Sequence, residues 1–128
     1  MRFEVENDAG ATLELECRAE PTRAEAAFDP MEALLASLAG STAADVVRLL
    51  ARDHEPLTDL EVFVEGKQAE TSPPVFREIH LRFVVHGNVT EAKARRAVDL
   101  SADKYSSVWR MLGAATRLTH SIELLGNA

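Results

Sequence analysis

The feature that most constrains this chain is one long, almost uncharged segment in its first half. Asp29, Pro30 and Glu32 form a helix start signal, because an aspartate cap followed three residues later by glutamate is a capping-box pattern. Residues 33–44 are small or apolar at nearly every position. The pattern predicts a helix to about Asp53, roughly 36 Å long at about 1.5 Å per residue. A helix without a polar face is buried on most sides, so we expect it to contact a partner subunit as well as its own sheet.

Segments of alternating polarity lie on both sides of this helix and predict strands. In the first hairpin, Leu13, Leu15 and Cys17 are expected to face inward, opposite the charged residues between them. The remaining elements predicted from polarity and helix signals are strands at 59–67, 76–86 and 118–124, and helical stretches at 90–100 and 102–112. This order predicts an α+β fold with a mainly antiparallel sheet, in a single domain over residues 1–128.

Charge and composition narrow the class of protein. The chain has 14 Lys and Arg against 21 Asp and Glu, a formal net charge of −7. Nucleic acid and anionic membrane surfaces are bound by clustered basic residues, so we expect neither as a partner. The start of the chain alternates charged with apolar residues and does not resemble a signal peptide. The longest weakly polar run, residues 33–44, is too short to span a bilayer. We therefore expect a cytoplasmic protein.

Residues with distinctive chemistry are few. The one cysteine, Cys17, lies on the apolar side of a predicted strand and is expected to be a small buried residue. The four histidines do not have metal-ligand spacing, and His120, among apolar positions, is expected to have a structural role. Glycine-rich phosphate loops are absent. These observations predict a protein with neither a metal nor another cofactor.

Two long stretches resemble the OsmC/Ohr family. Residues 30–47, PMEALLASLAGSTAADVV, resemble the family's central helix, and residues 96–108, RAVDLSADKYSSV, resemble its second signature. Residues 119–121, THS, fit the YhfA-like branch. The resemblance covers about residues 28–125. It implies an α+β, OsmC-like fold that forms an intertwined homodimer with two sites at the subunit interface.

The resemblance also implies a chemistry, which the residues of this chain do not match. In the family, a cysteine in the central helix attacks a hydroperoxide, and a second cysteine at the later helix resolves it as a disulfide. The matching positions here are Ser41 and Ser106. A thiol is readily ionised near neutral pH, whereas an alcohol is not, and the sulfenic-acid and disulfide steps require sulfur. The sequence therefore predicts loss of peroxidase activity.

Four residues are candidates for binding a small apolar ligand in a pocket between subunits. They are Met31, Leu38, Tyr105 and Trp109. Such side chains serve equally well as core or interface residues. The peroxidase branches have Glu directly after the helix-opening proline, where it orients a catalytic arginine. Here Met31 takes that position, as in the YhfA-like branch, and the sequence assigns the role of that arginine to neither Arg18 nor Arg23, which leaves it open.

Four functional hypotheses remain open from the sequence. The first is a degenerate family member that keeps the dimer and its pocket and binds a small apolar ligand or a protein partner. The second is a thiol peroxidase of the oxidative and osmotic stress response, either with its two cysteines changed to serine or using Cys17. The third is an acyl-transfer enzyme built on Ser41 and His120. The fourth is a purely structural dimerisation role.

Overall fold

The computed structural model describes residues 1–17 and 27–126. The chain divides into two compact units, 1–36 and 37–128. Residues 19–28 lack a regular polarity pattern and are predicted as a loop. Most of them, together with Arg18, lie outside the described residues, and Arg23 is among these.

The first unit begins with the predicted hairpin. Strands β1 (Arg2–Glu6) and β2 (Thr12–Glu16) pair antiparallel, with Val5 opposite Leu13. The turn contains Asn7, whose side-chain oxygen accepts hydrogen bonds from two backbone amides, at 3.0 and 2.9 Å. Such an Asx turn explains why the sequence reverses direction at this point.

The predicted inward face of the hairpin is wrong for this chain. Leu13 is 52% exposed, and Cys17 is exposed. The buried residue is Glu16, which lies 3.7 Å from Arg2 in an ion pair. Because β2 ends at Glu16, the alternation of the strand does not extend to Cys17.

Helix α1 (Pro30–Arg52) begins at the predicted start signal. The Glu32 amide donates to Asp29 Oδ1 at 2.8 Å, and the Asp29 amide donates to Glu32 Oε1 at 2.9 Å. These reciprocal bonds confirm the capping box. The helix ends one residue before the predicted Asp53.

Within the single chain, α1 buries one stripe of its surface rather than most sides. The buried residues recur at helical spacing and are Leu38, Thr42, Asp45, Val46, Leu49 and Leu50. The opposite face is open to solvent, and Val47 on it is 44% exposed. By length and composition α1 could also cross a membrane, a test that core helices of soluble proteins pass as well.

The second unit contains a three-stranded sheet in the order β3 (Leu57–Gln68), β4 (Phe76–Gly87) and β5 (Arg117–Leu125). Strands β3 and β4 are antiparallel, and β4 and β5 are parallel. The long helical connection between β4 and β5 makes this parallel pairing possible, since parallel neighbours need a crossover of a dozen or more residues. The predicted mainly antiparallel pairing therefore holds for β1–β2 and β3–β4 but not for β4–β5.

The crossover consists of three helical pieces. They are α2 (Glu91–Leu100), a π-helical turn at Ser101–Tyr105 and α3 (Ser107–Gly113). The helix predicted at 102–112 is interrupted at Ser106, whose backbone is extended. The core of the second unit includes the predicted inner face of β4, which the structure confirms: Ile79, Leu81, Phe83 and Val85 are all buried.

Candidate functional site

The structure brings the two candidate catalytic serines into direct contact. Ser41 and Ser106 are 65 residues apart in sequence, and their hydroxyl oxygens share a hydrogen bond of 2.9 Å. Ser41 lies near the middle of α1 and is partly buried, whereas Ser106 is 3% exposed. The pair lies entirely within the second unit.

Ser106 is positioned by the break between the π-helical turn and α3. Its amide donates to the Ser101 carbonyl at 2.8 Å, and its hydroxyl oxygen accepts from the Trp109 amide at 3.1 Å. Ser106 is thus the N-cap of α3 as well as the partner of Ser41. The fully buried Ser101 in turn donates to the Thr42 carbonyl at 3.0 Å, which ties the turn to α1 next to Ser41.

Ser41 does not have the structural role that its position in a helix would suggest. A serine in a helix commonly bonds to a backbone carbonyl one turn back. Here Thr42 makes those bonds, to the carbonyls of Leu38 at 2.9 Å and Ala39 at 3.1 Å. The Ser41 hydroxyl is directed to Ser106 instead.

A cavity of about 150 Å³ lies one turn further along α1, and Tyr105, the neighbour of Ser106, forms part of its wall. The lining residues are Asp45, Arg48, Leu49, Arg52 and Tyr105. Asp45 is 8% exposed and pairs with Arg48 at 2.8 Å, so its buried carboxylate is compensated. The site thus offers apolar surface together with two guanidinium groups.

The four predicted binding residues occupy different environments. Tyr105 lines the cavity and is 42% exposed. Leu38 is fully buried, and Met31 is partly buried in the first unit. The Trp109 ring lies 5.7 Å from that of His120, centre to centre, at 57°. The structure therefore brings Tyr105, but not the other three residues, into the lining of this cavity.

The described contacts do not supply a base for serine chemistry. His120 lies with its Nε2 3.6 Å from Asp99 Oδ1 and packs on Trp109. Within residues 1–17 and 27–126, neither Ser41 nor Ser106 has a histidine partner. A serine without an adjacent base is a weak nucleophile, so this arrangement does not favour acyl transfer. Over the same ranges, no three His, Cys, Asp or Glu side chains are grouped to hold a metal ion.

The geometry of the pair suits two sulfur atoms as well as two oxygens. Disulfide formation requires side chains that point at each other from neighbouring backbones, with Cβ atoms about 3.5–4.5 Å apart. Hydroxyl oxygens 2.9 Å apart meet the first requirement. Two thiols that faced each other in this way would meet that first requirement of a disulfide, whereas two hydroxyls form only a hydrogen bond.

Sequence reasoning missed the polar wall of the cavity, although a signal for it is present. Asp45, Arg48, Leu49 and Arg52 are spaced i, i+3, i+4 and i+7, which places them on one face of α1. Ser101 was also missed. Its role depends on a carbonyl 59 residues away, and no local pattern indicates that contact.

Comparison with known proteins decides the family. The sequence profile of the family described as OsmC-like protein matches residues 9–121. The chain belongs to the OsmC-like family. The protein YhfA of Escherichia coli K12 is 41% identical over 97 residues, which span 75% of this chain and 72% of YhfA.

Solved structures agree with this membership. A hypothetical protein from Aquifex aeolicus VF5 is 30% identical and superimposes with a TM-score of 0.79, over 100% of this chain and 97% of its own. An organic hydroperoxide resistance protein OsmC from Legionella pneumophila is 14% identical and superimposes with a TM-score of 0.72, over 96% and 95% of the two chains. At that identity the likeness shows a shared fold. The predicted OsmC-like α+β fold is confirmed.

Proposed function

We propose that this OsmC-like protein has lost the thiol peroxidase chemistry of its family and acts as a cytoplasmic homodimer that binds a small apolar ligand or a protein partner. The hydrogen bond between Ser41 and Ser106 carries the proposal. The resemblance assigns the family's two cysteines to these positions. Their contact supports a retained site architecture in which oxygen has taken the place of sulfur.

The chemical argument concerns the redox steps. A thiol peroxidase attacks the O–O bond with a thiolate, forms a sulfenic acid and condenses it with a second thiol to a disulfide. Neither hydroxyl of the serine pair can carry out these steps. Cys17 is exposed in the first unit and is the one cysteine of the chain, so it lacks a resolving partner within the same chain.

Binding is supported by the cavity beside the pair. Tyr105 and Leu49 provide apolar surface there, and the guanidinium groups of Arg48 and Arg52 complete the wall. Ligand sites of this kind combine apolar lining with a few convergent polar groups. The proposal therefore retains Tyr105, of the four candidates, as the residue that contacts ligand in the single chain.

The test is consumption of cumene hydroperoxide with dithiothreitol as the reductant. The unaltered protein is expected to give the rate of buffer alone, and Cys17→Ser should give the same. In the Cys17→Ser background, Ser41→Cys/Ser106→Cys should lose two titratable thiols on oxidation, while each single cysteine variant should keep its thiol. Turnover by the double variant would show that the supporting groups also survive.

Two outcomes would contradict the proposal. Catalytic turnover by the unaltered protein that disappears in Cys17→Ser would assign peroxidase activity to Cys17. The second is the finding, by intact mass of the chain from its natural source, of cysteine at positions 41 and 106. The two facing positions would then belong to a working thiol peroxidase of the stress response, which is the alternative that their contact also favours.

A further inference from the structure

A second cleft, next to the one lined by Tyr105, contains an unusual group of positive charges. Its volume is about 200 Å³, and it lies between α1 and α2 in the second unit. The lining residues that matter here are Leu49, Arg52, Asp53, Lys93, Arg96 and Leu100. Lys93, Arg96 and Leu100 are spaced i, i+3 and i+7, so α2 turns one face toward the cleft.

Both arginines of this cleft lack a counter-charge among the described residues. Within the part of the chain that the structure describes, Arg52 and Arg96 have no ion-pair partner. This is unexpected in a chain with 21 acidic and 14 basic residues. Lys93 is only loosely compensated, with its Nζ 3.7 Å from Asp53 Oδ2.

The two clefts share Leu49 and Arg52 and therefore adjoin each other. We will call them together the α1–α2 groove. Its charged side chains are four cations and two carboxylates: Arg48, Arg52, Lys93, Arg96, Asp45 and Asp53. An excess of two positive charges remains. Because exposed charges are screened beyond about 8 Å at physiological salt, acidic residues far from the groove weaken this local excess only little.

We propose that the α1–α2 groove binds a small amphiphilic anion. Its carboxylate or phosphate head would lie between Arg52 and Arg96, where guanidinium groups can donate charge-assisted hydrogen bonds. Its apolar tail would run past Leu49 to Tyr105. The inference rests on the proposed function in taking the Tyr105 cavity as a ligand site, and it adds the charge and the shape of the ligand.

The test is calorimetric titration of the unaltered protein with octanoate, octyl phosphate and 1-octanol, which share one tail. The anions are expected to bind at least tenfold more tightly than the alcohol, and the tighter of the two anions identifies the head group. Arg52→Gln and Arg96→Gln should each weaken anion binding roughly tenfold, the usual effect of losing one charge-assisted bond. Tyr105→Ala should weaken the binding of octanoate, whose tail reaches Tyr105, and leave the binding of acetate unchanged.

Arg95→Gln is the matched control. Arg95 neighbours Arg96 on α2, is exposed and pairs with Glu91 at 3.6 Å, and it is not part of the groove. The Arg95→Gln variant removes the same charge from the same helix, but Arg95 does not line the groove. The affinity of this variant for octanoate should therefore stay within about twofold of that of the unaltered protein. If Arg95→Gln and Arg96→Gln lost equal affinity for octanoate, binding would depend on the total charge of the protein and not on the groove. That result would overturn the inference.

Two further results would also overturn it. One is equal affinity for octanol and octanoate, and the other is the absence of saturable binding by either anion. Neither result bears on the hydroperoxide assay. The groove could therefore be rejected while the proposed loss of peroxidase activity is retained. Conversely, tight octanoate binding by a protein that turned out to be a peroxidase would keep the groove and reject the proposed function.

Discussion

At the scale of single residues, Gly87 at the end of β4 is a position where the backbone leaves no room for a side chain. Its φ is +116°, a conformation that side chains disfavour, and an added Cβ would lie 2.3 Å from the Pro56 carbonyl oxygen. Backbone atoms cannot give way as a flexible side chain can. We expect Gly87→Ala to lower the free energy of unfolding by about 2–3 kcal/mol, measured by urea denaturation.

Gly113 at the end of α3 provides the control for that experiment. A Cβ there would lie 3.5 Å from Leu118 Cδ1, an ordinary contact. Gly113→Ala should therefore change the free energy of unfolding by no more than about 0.5 kcal/mol. Similar losses at both glycines would mean that conformation and crowding at Gly87 are not the cause.

His54 is a second residue whose backbone determines the prediction. It follows α1 with a φ of +57°, and the amide of Glu55 closes the helix end by donating to the Leu50 carbonyl at 2.9 Å. This Schellman arrangement normally places glycine at the left-handed position. His54→Gly should raise the free energy of unfolding by about 1 kcal/mol in urea. His54→Ala keeps the disfavoured conformation, so a gain of equal size in that variant would contradict the explanation.

At the scale of elements, α3 depends on its cap. The Ser106 hydroxyl accepts a hydrogen bond from the Trp109 amide and shares a second one with the Ser41 hydroxyl. Ser41 makes only the second of these two hydrogen bonds. Ser106→Ala should cost about 1–2 kcal/mol of unfolding free energy, and Ser41→Ala less. Urea denaturation of the two variants gives the comparison. A larger loss in Ser41→Ala would show that the cap is not what holds the turn.

The elements that sequence predicts well are those determined by neighbouring residues. The capping box of Asp29 and Glu32 and the alternation along β4 are local patterns, and the structure follows both. Two other features depend on residues that are distant in the sequence. They are the parallel pairing of β5 with β4 and the end of β2 before Cys17. The N-cap of α2 is similar: a threonine at the start of a helix commonly caps it with its side chain, but the Thr90 side chain makes no such bond, and its amide donates to Glu55 Oε1 at 2.7 Å.

In the candidate site, too, local features could be predicted from the sequence, whereas contacts between distant residues could not. The positions Ser41 and Ser106 came from resemblance to family signatures, and their contact across 65 residues could not be read from periodicity. Helical spacing gives directions around one helix, but it gives no distance between two helices. For that reason Arg52 and Arg96 could each be placed on a helix face, while the groove that they share required the structure.

At the scale of the whole molecule, apolar surface left open in the single chain requires explanation. In the hairpin, Phe3, Val5 and Leu13 are each about half exposed, and Val47 on α1 is 44% exposed. Soluble chains seldom leave grouped apolar side chains in water unless another surface covers them. The resemblance supplies an occupant, a second copy of this chain, which is the homodimer of the proposed function.

The proposed homodimer predicts the mass of the protein in solution and a position, Val47, at which a charge should disrupt the dimer. Sedimentation equilibrium at micromolar concentration should give twice the 14.0 kDa of one chain. Val47→Glu should shift the mass toward one chain, because burying an unpaired carboxylate at an interface costs several kcal/mol. Val75→Glu is the control, since Val75 is as exposed at 52% but lies outside the long helix that the family packs between subunits. An unaltered protein that sediments as a single chain would reject the homodimer.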